Sequence, residues 1–92
     1  MNTRSVYVVG GNLRKLRTIY GYTQSETAAL LNVCRTSYLK YESGDKMPGI
    51  DTLLNIANLY HISIDVIYEA DPAKFRALTY YFRCLSRDKK VD

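Results

Sequence analysis

The sequence is short of the residues that most enzymes and metalloproteins depend on. It holds one histidine, His61, and two cysteines, Cys34 and Cys84, far apart and without a CxxC pair. Metal-ligand spacing is therefore missing, no metal or cofactor is expected, and both thiols read as reduced. No nucleophile has a histidine partner at motif spacing and no glycine loop is arranged to cradle phosphate, which argues against an enzyme. No stretch approaches the roughly 18 apolar residues of a membrane span, and the apolar part of "MNTRSVYVVGG" is too short for a signal peptide. The expectation is a cytoplasmic protein with no membrane partner. A further lack is local: from Met47 to Pro72 there are four acids, Asp51, Asp65, Glu69 and Asp71, and no Lys or Arg at all.

What is present fits one small globular domain. The chain has 92 residues, 47% hydrophobic and 24% charged, enough for a single modest core and too little for a second. The net charge is +4, and it is unevenly placed. Between Gly11 and Lys46 the bases Arg14, Lys15, Arg17, Arg35, Lys40 and Lys46 outnumber Glu26, Glu42 and Asp45, and the last twenty residues are basic again. One end of the fold is thus suited to a polyanion while the middle faces away. Nine tyrosines raise the thought of stacking on single-stranded bases, but they are spread over helical segments at core-like positions, so stacking is discounted.

The apolar periodicity reads almost entirely as helix. Leu13, Leu16 and either Ile19 or Tyr20 recur at steps of three and four, with Asn12 as the N-cap and Gly21 at the helix-ending left-handed position. "TQSE", Thr23 to Glu26, is a capping box that opens a second helix, burying Ala28 and Leu31 and ending at Asn32. In "LLNVCRTSY", residues 30–38, the apolar pattern stops at Asn32 and restarts at once as a polar segment. That third helix runs from about Arg35 to Ser43, with Gly44 ending it. A fourth covers Ile50–Tyr60, with Leu53, Leu54, Ile56, Ala57 and Leu59 available for packing. Ser63 caps a fifth, "IDVIYE", and Asp71-Pro72 opens a sixth, Asp as N-cap and Pro at the first helical position. The expected organisation is an N-terminal arm (1–8) whose "VYVV" supplies an edge strand or covers the first helix, a five-helix domain (9–70), and a C-terminal helix (71–92).

Two short helices joined by a turn of three or four residues make a helix-turn-helix unit, and Tyr22–Gly44 fits it. The stretch from Leu13 to Tyr68 resembles the phage-repressor and Cro type of helix-turn-helix domain. The matching pieces are "YTQ" opening helix two, "LLNV" at the turn, "YE.G" closing helix three, "P..DTLLNIA" in helix four and "SID.IY" in helix five. The resemblance implies an all-α, five-helix repressor-like fold with an additional C-terminal helix. It also implies a regulator that binds a specific double-stranded DNA sequence by laying helix three in the major groove. Arg35, Thr36 and Lys40 fall where such domains contact base edges. The chemistry agrees: Arg can donate two bonds to guanine, Thr can bond a base edge or touch a thymine methyl, and Lys can reach guanine or a phosphate. This explains the polar restart after Asn32, which places donors outward where core methyls would otherwise sit.

The resemblance further assigns Gln24, with Thr23, Ser37 and Lys46, to the phosphate backbone. It pairs Arg17 of helix one with Glu42 near the end of helix three, fixing the recognition helix against the bundle. Tyr38 and Tyr41 are expected in the core. Cys34 stands where a Ser or Thr cap is usual, and Leu39 stands where the DNA backbone or solvent is faced. The C-terminal segment has Phe75, Leu78, Phe82 and Leu85 at steps of three and four with Tyr81 beside them. That apolar stripe suits either a homodimer interface or packing against the chain's own core, and the expectation is the homodimer. The competing functional reading is an antitoxin or adaptor that holds a small protein partner, such as a toxin, and autoregulates through the same fold.

Overall fold

The computed structural model describes residues 3–91. Six helices follow one another: α1 (Thr3–Tyr20), α2 (Gln24–Leu30), α3 (Arg35–Ser43), α4 (Ile50–Tyr60), α5 (Ile64–Ile67) and α6 (Pro72–Val91). No strand occurs among the described residues, and none of their helices is long and apolar enough to cross a membrane.

The ends of the middle helices obey local rules. Thr23 Oγ1 accepts from the N–H of Glu26 at 3.0 Å while the Glu26 carboxylate accepts from the N–H of Thr23 at 2.8 Å, completing the capping box of α2. Gly44, with φ of 84°, closes α3 in the left-handed conformation that glycine adopts without strain. The Asp71 carboxylate accepts from the N–H of Ala73 at 2.9 Å, starting α6 with Pro72 in its first turn. Ser63 occupies the N-cap position of α5 but makes no side-chain bond there.

The beginning of the chain departs from the sequence expectation. "VYVV" is helical, so it is neither a strand nor a separate arm, and the division at residue 8 falls inside α1. Asn12 is not an N-cap. It lies buried in mid-helix, and its side-chain amide donates to the carbonyls of Ile67 at 2.9 Å and Glu69 at 2.8 Å, satisfying the end of the four-residue α5. Gly10-Gly11 looks locally like a helix break, yet Gly10 marks where α1 crosses α3. A Cβ there would stand 2.5 Å from the Tyr41 carbonyl oxygen and 2.7 Å from that of Glu42. The glycine permits close packing; it does not end a helix.

The core gathers Val9, Leu13 and Leu16 of α1 with Tyr38 and Tyr41 of α3, Leu53 and Ile56 of α4, and Val66 and Ile67 of α5. Tyr20, rather than Ile19, completes the buried stripe of α1, its hydroxyl donating to the Tyr60 carbonyl at 2.7 Å. Leu54 is exposed and takes no part. Only some tyrosines match the core reading: Tyr38, Tyr41 and Tyr60 are buried and Tyr20 and Tyr22 half-buried, while Tyr7, Tyr68, Tyr80 and Tyr81 face outward.

The apolar stripe of α6 is divided. Phe75 is 3% exposed within the chain's own core, so it is not free for a dimer interface, and Leu78 and Phe82 pack half-buried against that core. Tyr81 and Leu85, at 56% and 39% exposed, remain outside. The cause is periodicity: steps of three, four and seven from Phe75 keep one narrow stripe on the bundle, while Tyr81 and Leu85 rotate away from it.

Candidate nucleic-acid interface

The turn between α2 and α3 is built from residues 31–34. Asn32 adopts φ of 57°, a conformation Asn tolerates better than most residues, and the Val33 N–H reaches back to the Ala28 carbonyl at 3.0 Å. Cys34 then takes the extended N-cap conformation of α3. Its side chain makes no bond to the helix backbone; its sulfur lies 3.1 Å from Ser37 Oγ. That hydrogen bond with Ser37 is the main reason the Cys34 thiol is held below its usual pKa.

Along α3 the faces separate cleanly. Tyr38 and Tyr41 point into the core, and Arg35, Thr36 and Lys40 are exposed. Thr36 and Lys40, one helical turn apart, line an open groove of about 910 Å³ together with Leu39, Thr23, Gln24 and Arg14. The groove therefore unites four residues assigned to DNA from sequence, drawn from the start of α2 and the outer face of α3, with the Arg17 and Glu42 pair also in its wall. Arg35 lies outside it, exposed at the first position of α3, and Lys46 is exposed just beyond that helix. Ser37 is half-buried and engaged with Cys34. Arg14, counted in the sequence only as a charge, also belongs to the groove; its place three residues before Arg17 on one helix was the available signal.

Beneath this surface lies a polar anchor. Arg17 donates from Nε to Glu42 Oε2 at 2.6 Å, from Nη2 to Oε1 at 3.3 Å, and from Nη1 to the Tyr22 carbonyl at 3.0 Å. Its planar fork thus ties α1, the loop before α2 and α3 together, a geometry that lysine cannot reproduce. Gln24 Nε2 donates to the same Glu42 carboxylate at 3.2 Å. A carboxylate only accepts, so the glutamine must present its NH₂ inward, leaving one N–H for an outside partner. Burial alone would push the Glu42 carboxyl up. The hydrogen bonds from Arg17 and Gln24, with the Arg17 charge and the Tyr38 phenol close by, outweigh it and hold the group below the usual carboxylate range. Tyr38 lies against this carboxylate without a well-aligned bond; burial first, and Glu42 second, keep its phenol protonated. This part of the network was not legible, because Tyr38 read only as core.

Two short helices at a tight turn, the second buried by its tyrosines and presenting polar side chains outward, define a helix-turn-helix protein. Residues 13–67 match the family model described as helix-turn-helix, and the chain belongs to that family, in its Cro and C1-type branch. It is 36% identical over 66 residues to the SPbeta prophage-derived uncharacterized HTH-type transcriptional regulator YonR of Bacillus subtilis, covering 72% of this chain and 61% of that protein. It is 38% identical over 63 residues to the HTH-type transcriptional regulator ImmR of the same organism, covering 68% and 50%. With the cryptic phage CTXphi transcriptional repressor RstR of Vibrio cholerae it shares 40% identity over 53 residues, covering 58% and 47%. The chain therefore spans only about half to three-fifths of the length of these relatives. No solved structure matches it.

Proposed function

We propose that the chain is a sequence-specific double-stranded DNA-binding transcriptional regulator, repressor-like, that reads the major groove with α3. The observation carrying this reading is the division of α3 itself. Tyr38 and Tyr41 fix it to the core, the Arg17–Glu42 pair locks its far end, and Arg35, Thr36 and Lys40 are left free at base-reading positions. Thr23, Gln24, Ser37 and Lys46 are the proposed phosphate contacts, with Gln24 and Thr36 lining one groove; Arg14 joins them as a further cation. The names of the relatives, transcriptional regulators and a phage repressor, support the same conclusion.

One recognition helix reads too few base pairs for useful specificity in a genome, and two-fold dimers on half-sites about 34 Å apart are the usual solution. The proposal therefore includes a homodimer, with the exposed Tyr81 and Leu85 of α6 in its interface. No specific observation favours the antitoxin or adaptor alternative. Selection of bound duplexes from a random pool tests the proposal, with recovery of one palindromic site expected. Affinity for that site should fall steeply with salt, the log–log slope growing by about 0.9 for each phosphate neutralised. Recovery of no preferred sequence, or binding indifferent to salt, overturns it.

A further inference from the structure

A second groove, of about 490 Å³, lies between α1 and α6 and shares only Arg14 with the groove assigned to DNA. Its walls are apolar where the helices meet, formed by Ile19, Phe75 and Tyr80. Four cations surround that surface: Arg14 and Lys15 from α1, Arg76 and Arg83 from α6. No carboxylate lines the groove, and among the described residues the one ion pair is Arg17–Glu42, elsewhere in the fold. Two of the four instead rest against aromatic rings, Lys15 Nζ 5.4 Å from the centre of Phe75 and the Arg83 guanidinium 5.8 Å from that of Tyr20. Thr79 also lines the groove, nine-tenths or more buried, and its hydroxyl has no hydrogen-bond partner within the protein.

Each feature is costly for a surface with no other role. Like charges converging on one concavity repel, and a buried hydroxyl without a partner gives up its hydration for nothing. The repulsion among the four cations vanishes for an occupant carrying negative charge on an apolar body; the Thr79 hydroxyl, sealed from solvent, stays out of its reach. The volume lies within the range of small-molecule sites, about 300–1,000 Å³. We infer that the α1–α6 groove is a binding site for a small amphipathic organic anion, an aromatic or medium-chain aliphatic carboxylate. Its body lies on the exposed Ile19 and Tyr80, beside the buried Phe75, and its carboxylate meets the arginines. The concave, apolar wall sets this site apart from the DNA-facing groove, and a phosphate backbone alone leaves that wall uncovered.

Amide NMR of the full chain, without DNA, tests the inference with 1-naphthoate and decanoate below micelle-forming concentration. The uncharged 1-naphthalenemethanol and decanol supply the body without the charge, and acetate the charge without the body. The carboxylates should shift amides of 14–19 and 75–83 saturably and bind about tenfold more tightly than any of the three controls, as expected for charge-assisted bonds. Arg76→Gln with Arg83→Gln should lose that advantage while leaving alcohol binding unchanged and the amide spectrum that of the folded protein. These positions avoid Arg14, which lines both grooves, so failure here is separable from failure of DNA binding. Absence of saturable shifts, equal affinity for acid and alcohol, or unchanged affinity in the double variant overturns the inference. Groove signals that move on simple dilution of the protein also overturn it, since they identify a second copy as the occupant.

Discussion

Removing the Arg17 guanidinium strands the Glu42 carboxylate, whose side chain is only 5% exposed. Arg17→Ala should therefore cost about 3 kcal/mol in urea unfolding, the lower end for an orphaned buried charge, and Arg17→Lys should restore only part of it. The sign of the pH effect follows from Glu42. Its folded pKa is lowered, so the stability it contributes is complete above the ordinary glutamate value of about 4.3 and is lost as pH falls through the lower folded value. The stability gap between the natural protein and Glu42→Gln should thus narrow as pH falls below about 4; a gap constant from pH 7 to 3 contradicts this. At the DNA face, Arg35→Ala should cost about 1–3 kcal/mol on the preferred duplex and relax base choice at one position. Gln24→Ala should weaken all sequences alike, its remaining N–H serving a phosphate. Competition binding on specific and random duplexes separates the two, and equal losses for Arg35→Ala on both remove its assignment.

Adjacent glycines in α1 make opposite predictions at the level of elements. At Gly10 a methyl group meets the backbone carbonyls of Tyr41 and Glu42, which cannot rotate aside, so Gly10→Ala should cost about 2 kcal/mol or more and displace α3. DNA affinity should then fall even where the domain remains folded. Nothing lies within 4 Å of a methyl at Gly11, which is exposed in mid-helix, and Gly11→Ala should stabilise by about 0.5–1 kcal/mol. Thermal unfolding of the two variants checks both signs, and a shared sign refutes the crossing as the reason for Gly10. These residues also show why the start of α1 is not legible in the sequence. The limits of α2 and α3 were legible because Thr23, Gly44 and the left-handed Asn32 act on their own neighbours. The start of α1 depends on α3, which lies some thirty residues away in the chain.

For the molecule as a whole, the position of α6 decides how assembly is tested. Truncation at Asp71 would remove Phe75 from the core and confuse unfolding with dissociation. Tyr81→Glu with Leu85→Glu places charges only on exposed positions, and sedimentation should show a dimer converted to a monomer that still unfolds cooperatively. A monomeric natural protein, or a dimer unaffected by the two charges, removes the homodimer.

The sequence by itself determined the helical class, the limits of the middle helices, the helix-turn-helix unit and the outward face of α3. Each follows from periodicity, capping or left-handed turn residues, which act over three or four positions. Tertiary structure alone decided that Asn12 serves the carbonyls ending α5, that Tyr38 lies against Glu42, and that Phe75, Leu78 and Phe82 belong to the chain's own core. It alone brought Arg14 and Lys15 opposite Arg76 and Arg83 around an apolar groove. Residues so distant in the chain meet only when apolar burial selects one packing of the helices, and no local pattern encodes which polar groups that packing makes neighbours.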